Sequence, residues 1–403
     1  MSVPVRTPID GGAQEPSDRW TEAGSRPRLL VVSHPSVVTV NQEVYLELQR
    51  RGWELRIVLP SSWRSEYSGR TMTPQALAGL EPTLRPRRVA LRGRPQRHFY
   101  LTGCRSLIRE ARPDVAFVEA EPFSLAAAQW RRPLMAMGVP FGVQCAENID
   151  RPLPALVRRM RSAVLRDAAF VAGRSETAGR LARSWGTRGE VAFAPHAVPV
   201  WERPETARSE HFTVGYAGRL VSSKGLLDLL AAVRRLPAPV ELLLIGDGEL
   251  RGELEGQEIP GSRVRVLDGL SHEQMASGYA QLDVLALPSH TTPTWKEQFG
   301  RVIVEALWCG VPVVGSDSGE IPWLIELTQG GLVYPEGDAS ALAERLAELR
   351  NRPELRTRLA GEGRAAVERL FSVSAATDPL ERLLRNAAAA STAGRTWPPS
   401  PAS

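Results

Sequence analysis

The sequence predicts an α/β protein of two doubly wound, Rossmann-like domains facing across a cleft, and three observations support this. The chain has 403 residues, too many for one ordinary core and enough for two domains of roughly 150 to 200 residues each. Short apolar runs bounded by turn residues, such as Arg28-Leu-Leu-Val-Val-Ser33, alternate with amphipathic stretches, the pattern of buried parallel strands and covering helices. The first such run begins a βαβ unit: a strand at 28–33, a loop at 34–41, a helix to about Arg51 closed by Gly52, then a strand at 55–59. The loop therefore lies at the carboxyl end of a strand, where open α/β sheets bind ligands.

Composition narrows the class. Apolar residues make up 43% and charged residues 24%, the balance of a soluble globular protein. Residues 1–205 carry 30 arginines against 20 acidic residues, and residues 206–403 carry 20 basic against 25 acidic ones. A basic half beside an acidic half points the first at something anionic, such as a membrane surface, a phosphorylated lipid or an acidic acceptor. Arginines that merely decorate helices are the plain alternative. Aromatic residues are too sparse among the arginines for nucleic acid to be the partner. Only two lysines, Lys224 and Lys296, stand against 48 arginines, so each can mark a need for a compact ammonium. Cys104, Cys145 and Cys309 form no Cys-x-x-Cys pair and are expected as reduced thiols of a cytoplasmic protein, with peripheral membrane attachment allowed. The first 26 residues hold no apolar stretch of a signal peptide, and no apolar run approaches ~18 residues.

Along the first domain, expected over 27–195, the loop after the first strand reads His34-Pro-Ser-Val-Val-Thr-Val-Asn41. His34 and Ser36 are candidate polar contacts there, although a histidine at a strand end also serves as a local cap. Residues 61–98 are expected to be irregular, with four prolines and Arg85, Arg87, Arg88, Arg92, Arg94 and Arg97; they read either as a groove for an acceptor or lipid or as a solvated basic loop. A strand at 114–118 ends in Glu119-Ala-Glu121-Pro-Phe-Ser. With Pro122 at the first helical position, Glu121 is either a carboxylate favoured by the helix dipole or an acceptor-orienting group. Asn148 follows the next strand. Strands at 170–172 and 191–194, around a helix from Ser175, complete the domain, and the proline-rich stretch from Pro195 opens a linker expected over 196–211.

The second domain, expected over 212–375, opens with a strand at 213–217 and Gly218-Arg-Leu-Val-Ser-Ser-Lys-Gly225. Arg219 and Lys224 beside a helix start are sound chemistry for holding a diphosphate as it leaves. A strand at 240–245 is closed by Gly246-Asp247-Gly248, a ligand-facing turn before a helix at 250–255, and a strand at 264–267 leads to Leu270. After a strand at 284–287, a polar loop carries Glu297 into a helix at 300–309, with Glu305 inside it, followed by a strand at 311–314. The helix start leaves the amides from Phe299 through Gly300 and Arg301 to Val302 free to hold an anion. Two flanking carboxylates can accept hydrogen bonds from hydroxyls, so the site suits a sugar joined to a phosphate. Two amphipathic helices from about 339 to 370 pack the domain. A possible crossover helix is placed at 376–387, and the ends 1–26 and 388–403 are expected to be disordered.

The run Glu297-x(7)-Glu305, Ala-Leu-x-Cys-Gly-Val-Pro-Val-Val and Gly315-Ser-Asp-Ser-Gly-Glu-Ile-Pro322 resembles the signature of the retaining GT-B glycosyltransferases of family 4. The likeness is carried by motifs over 212–370 and by pattern over 28–195. It implies a GT-B fold and transfer of a hexosyl unit from a UDP-, GDP- or ADP-sugar donor to an acceptor hydroxyl of a sugar-containing or lipid-linked acceptor, with retention. It also implies that Arg219 and Lys224 hold the diphosphate, Glu297 the sugar hydroxyls, Glu305 the ribose, and that Gly218, the Gly246–Gly248 turn and Leu270 line the donor site. The family's usual glycine pair in the first loop is absent here, and the linker lacks its usual Gly and Asp. No Asp-x-Asp occurs, so no metal and no cofactor are expected, and the leaving phosphate is to take the acceptor's proton. A sugar-nucleotide epimerase on the same scaffold and a catalytically inactive sugar-nucleotide binding or scaffolding protein are the competing readings; joint retention of Lys224, Glu297 and Glu305 argues against the last.

Overall fold

The computed structural model describes residues 26–65, 69–199, 201–202 and 210–391. The ends expected to be disordered fall almost wholly outside the described residues, as do 203–209 of the expected linker. Two parallel sheets form the two domains. The first contains β1 (Arg28–Ser33), β2 (Glu54–Pro60), β3 (Leu84–Arg87), β4 (Val115–Glu119), β5 (Phe141–Cys145), β6 (Phe170–Gly173) and β7 (Glu190–Phe193). Their spatial order is β7-β6-β5-β4-β1-β2-β3, every pairing parallel. The second contains β8 (Phe212–Ala217), β9 (Val240–Ile245), β10 (Arg263–Leu267), β11 (Val284–Leu287), β12 (Val313–Ser316) and β13 (Gly331–Tyr334), in the order β10-β9-β8-β11-β12-β13.

Strand order reverses between β1 and β4 in the first sheet and between β8 and β11 in the second. At such a reversal the loops leaving neighbouring strands diverge to opposite faces and open a crevice. The loops bordering the two crevices begin at His34 and Ala120 in one domain, and at Gly218 and Pro288 in the other. Continuous burial explains why the strands read as unbroken apolar runs: β4 and β11 are buried throughout, with helices on both faces.

The last helix, Val373–Ser391, belongs structurally to the first domain. Leu380, Leu383, Leu384, Ala387 and Ala388 follow helical spacing and join one core cluster with Leu29, Val31, Tyr45, Leu48 and Trp53. Arg51 fastens its start through Asp378 (2.7 Å) and Glu381 (2.9 Å), and Trp53 Nε1 donates to Glu381 Oε1 at 3.1 Å. The helix exceeds the expected 376–387 at both ends, so residues 388–391 are helical.

Three expectations need correction. Residues 61–98 are not wholly irregular: β3 adds a parallel edge strand there, and the pairs Trp63–Arg64 with Thr71–Met72 and Val89–Ala90 with Phe99–Tyr100 form small antiparallel ladders. Pro86 is tolerated because β3 is an edge strand. The helix after Glu121 starts at Leu125 with Ser124 as N-cap, its hydroxyl accepting from Ala127 N at 3.1 Å; Glu121 is therefore not at that helix's first turn. The strand after Glu305 is Val313–Ser316, not 311–314. Val311 N closes the preceding helix by donating to Ala306 O, with Gly310 at φ +76° beside it, so Val311 is used in the helix end.

Candidate functional site

On the second domain, two loops form one wall. Gly218 N donates to Ile245 O and Leu220 N to Asp247 O, so the loops after β8 and β9 run side by side. Their approach requires glycine: a Cβ on Gly246 would fall 1.9 Å from Gly218 O. Tyr216 Oη donates to Arg219 O at 2.7 Å and fixes the half-buried Arg219 at this wall. The exposed Asp247 caps its own turn through Gly248 N, at 2.8 Å, and Leu270 packs against the domain core beside Gly278. Lys224 ends a short 3-10 turn, Ser222–Lys224, just before helix Leu226–Val233.

Lys224 reaches the loop that holds Glu297. Its Nζ donates to Glu297 Oε2 at 2.6 Å, Ser289 Oγ donates to the same oxygen at 2.9 Å, and the ammonium lies 4.4 Å from the Trp295 ring centre. Glu297 Oε1 accepts no hydrogen bond among the described residues. The loop is held from behind: Glu297 O accepts from Glu320 N at 3.0 Å, and Gly319, at φ +59°, lies so close that a Cβ would meet that oxygen at 2.1 Å. The Gly319-Glu320 part of the second sequence signature thus positions the first glutamate of the other.

Helix Arg301–Trp308 starts at Gly300, φ +68°, without a side-chain cap. Among the described residues, the backbone N–H groups of Phe299, Gly300, Arg301 and Val302 donate to no backbone acceptor, so the positive end of the helix is open to an anion. Inside the helix Glu305 is buried, accepts from Tyr279 Oη at 2.8 Å and lies 3.3 Å from Arg301 Nε. Burial raises its pKa, against the opposing Arg301 charge and Tyr279 hydroxyl.

The first domain closes the cleft from the other side. Asn148 Nδ2 donates to Glu297 O at 2.7 Å, Arg301 Nη1 donates to Asn41 Oδ1 at 3.2 Å, and the His196 ring lies 5.6 Å from that of Phe299. A cavity of about 630 Å³ opens here, lined by His34, Trp63, Glu121, Gln144, Gln298 and Arg301 among others. His34 is held neutral at ordinary pH: burial and then the nearby His98 push its pKa down to about 3, and its Nδ1 has no partner. Glu121 Oε1 accepts from Ala146 N at 2.7 Å while Oε2 is without a partner, and burial raises its pKa to about 7. Ser36 does not face this space. It is fully buried, its hydroxyl 2.7 Å from that of Ser33.

Two family models match the chain, "Glycosyl transferase 4-like domain" over residues 37–197 and "Glycosyl transferases group 1" over 199–366, which together take in both domains. This chain belongs to the group 1 glycosyltransferases, with the GT-B fold. Sequence relatives of this family include a lipopolysaccharide core biosynthesis glycosyltransferase, LpsE, from Rhizobium meliloti, 34% identical over 41% of this chain and 48% of that protein. Another is a capsular polysaccharide biosynthesis glycosyltransferase, CapM, from Staphylococcus aureus, 28% identical over 43% of this chain and 46% of that one. The chain thus spans about half the length of the curated relatives it matches. Solved GT-B structures align over nearly the whole chain: sucrose-phosphate synthase from Thermosynechococcus elongatus (TM-score 0.67, 18% identity, 91% of this chain and 100% of that one) and HepE from Anabaena in complex with UDP (0.65, 17%, 89% and 100%).

Within this GT-B site the structure brings Lys224, Glu297, Gly300, Arg301 and Glu305 together and joins Asn148 to them across the domains, while Ser36 stands apart. Sequence reasoning missed Ser289, Trp295, Tyr279, Asn41 and His196. Ser289 sits just before His290 at the end of β11, so its position at a strand's carboxyl end was a usable signal. Tyr279 and Asn41 meet their partners only through the tertiary fold. Glu119, two residues before Glu121 at the end of β4, is a structural hub: Ser33 Oγ and Tyr45 Oη each donate at 2.6 Å and Arg174 at 2.8 Å.

Proposed function

We propose that this protein is a retaining glycosyltransferase that moves a hexosyl unit from a nucleoside diphosphate sugar to an acceptor hydroxyl. The observation that carries the reading is the junction of Lys224, Glu297 and an open helix N-terminus at Gly300, with Arg219 on the same loop as Lys224 and held there by Tyr216. A diphosphate lying between them meets an ammonium, a guanidinium and free amides, the charge its departure demands. Glu297 Oε1 is left to accept a hydrogen bond from a sugar hydroxyl, and Glu305 to accept one from the ribose beside its Tyr279 bond.

The acceptor enters from the first domain, through the cavity lined by His34, Trp63 and Glu121. Its hydroxyl attacks the anomeric carbon on the face that the phosphate leaves, and the departing phosphate oxygen takes the hydroxyl proton. Positioning and charge stabilisation supply the rate. HepE is described in complex with UDP-glucose, and a mannosyltransferase relative is named as GDP-mannose-dependent, so both bases belong in the first donor panel.

The test is to incubate the full chain with UDP-, GDP- and ADP-sugars and to follow melting temperature and nucleotide release, then the anomeric configuration of any product by NMR. One donor is expected to raise the melting temperature and to be slowly hydrolysed, with an axial donor giving an axial product. Failure of every donor to bind overturns the transferase reading, and an inverted product overturns retention.

A further inference from the structure

A second surface lies on the first domain outside the cleft. Helices Leu125–Ala136 and Ala155–Asp167 pack side by side and leave a groove of about 760 Å³ between them, lined by Leu125, Leu156, Met160, Arg132 and Arg159. Large apolar side chains that stand singly on a surface need no explanation. Here, however, Leu125, Met135 and Leu156 are all on these two helices and exposed, Leu156 at 78%. Leu156, Arg159, Met160 and Ala163 recur at helical spacing along one face.

Charge sets the character of the patch. Helix Leu125–Ala136 contains no acidic residue, and helix Ala155–Asp167 contains only its last. That Asp167 is taken by Arg131 and Arg166. Arg132, Arg158 and Arg159 are exposed and have no acidic partner among the described residues. The groove is therefore a largely aliphatic trough beside uncompensated guanidinium groups.

We infer that this face docks on a bilayer containing anionic lipid, with Leu156 and Leu125 entering the headgroup boundary and the arginines meeting phosphate. A second copy of the chain is a poor occupant, since two such faces repel each other. A nucleic acid is a poor one as well, because the large apolar side chains exposed here are Leu125, Met135 and Leu156, and the half-buried ring of Phe99 by itself offers no stacking platform for successive bases. Docking here also sets the cleft near the membrane. Leu125 N bonds to Gln96 O; Pro95 and Gln96 line the cleft cavity while Phe99, three residues on, lines the groove. That a lipid-borne acceptor would use this proximity rests on the transferase reading; the docking itself does not.

Co-sedimentation of the full chain with phosphatidylcholine vesicles and with vesicles containing phosphatidylglycerol tests the inference. Binding is expected to anionic vesicles only and to weaken with salt. Each arginine near such a surface is worth about five-fold in partitioning, so Arg132→Ala with Arg158→Ala and Arg159→Ala is expected to lower it by about 100-fold. Leu156→Ser is expected to lower it even at high salt, where charge is screened. An unchanged melting temperature in these surface variants keeps the comparison on folded protein. Absence of anionic vesicle binding, equal binding to neutral vesicles, or wild-type binding by the groove variants while Arg88→Ala with Arg94→Ala and Arg97→Ala abolishes it would each overturn the inference. So would loss of a dimer or of RNA binding in the variants without loss of vesicle binding. Donor binding measured alongside separates these failures from failure of the transferase reading.

Discussion

Lys224 Nζ and Glu297 Oε2 lie 2.6 Å apart, an ion pair only 12% exposed on either side chain that joins the loops before two helices. The pair makes each residue the other's positioning group and, in the proposed reaction, a ligand contact as well. Lys224→Ala should cut kcat/KM for the donor by about 10²–10³-fold, since the proposed reaction then loses the cation that faces the departing phosphate. Glu297→Gln keeps the shape and the Ser289 bond but frees the ammonium, and a loss of about 10²-fold is expected. If the two act as a unit, the double variant loses little beyond the worse single one. Losses that multiply would show two independent contacts.

Asn148 ties the first domain to the Glu297 loop through its 2.7 Å bond to Glu297 O. That oxygen keeps its bond from Glu320 N in Asn148→Ala, so the loop should remain folded but less firmly placed. A lost buried hydrogen bond costs about 1 kcal/mol, a shift of roughly 2–4 °C in melting temperature. Misplacement of a reacting group costs far more in rate. The expected outcome is therefore a fall of about 10- to 100-fold in turnover with a small stability change, and faster amide exchange over 295–300. Unchanged turnover would assign Asn148 to domain packing alone.

The second domain was legible because its chemistry is local. The loop at Gly218 and the turn at Gly246 directly follow a strand's carboxyl end, and the loop-helix junction at Gly300 ends the polar loop that leaves β11, so the order of strands, loops and helices locates them. Strands 240–245 and 284–287 were read at their observed bounds because the second is a continuous buried apolar run and the first is one apart from its half-buried Glu241. The first domain was less legible, since its contacts span the chain. Nothing near Asn41 indicates that it meets Arg301, 260 residues away. β3 was hidden because Leu84-Arg-Pro-Arg87 lacks an apolar pattern: an edge strand is held by its neighbour's backbone and needs few buried side chains. The helix after Glu121 was started too early because Pro122 suits a first turn, whereas Ser124, whose hydroxyl accepts from Ala127 N, is the stronger cap.

Glu381 should measure how firmly the last helix holds the first domain. Burial pushes its carboxyl pKa up, but hydrogen bonds from Arg51, Trp53 and Arg385 outweigh this and hold it below the usual range. The stabilisation is therefore present at neutral pH and is lost as pH falls through the depressed pKa. Glu381→Ala should cost about 2 kcal/mol at pH 7, because Arg51 retains Asp378 and Glu47. Leu384→Ala, at a fully buried position, should cost more, roughly 2–5 kcal/mol. Urea denaturation of both variants at pH 7 tests this order; a larger loss from Glu381→Ala would place the docking energy in the ion cluster.

Glu121 should make both stability and acceptor use depend on pH. Its pKa of about 7 arises first from burial and is opposed by the Ala146 N–H. The folded state thus binds a proton that the unfolded state has already lost in the window between the usual carboxylate pKa and about 7. Stability is full below the unfolded value and falls as pH rises through 7, by roughly 3 kcal/mol at most. Glu121→Gln keeps the acceptor for Ala146 and removes the charge, so it should leave the melting temperature nearly unchanged at pH 5 and raise it at pH 8. Because Glu121 lines the cavity beside His34, wild-type kcat/KM for the acceptor should change slope near pH 7 and the variant's should not. The donor's affinity, which the proposed function places on the other domain, should be the same in both. A melting-temperature difference that is flat from pH 5 to pH 8 would show that the Glu121 carboxyl reaches solvent and titrates normally.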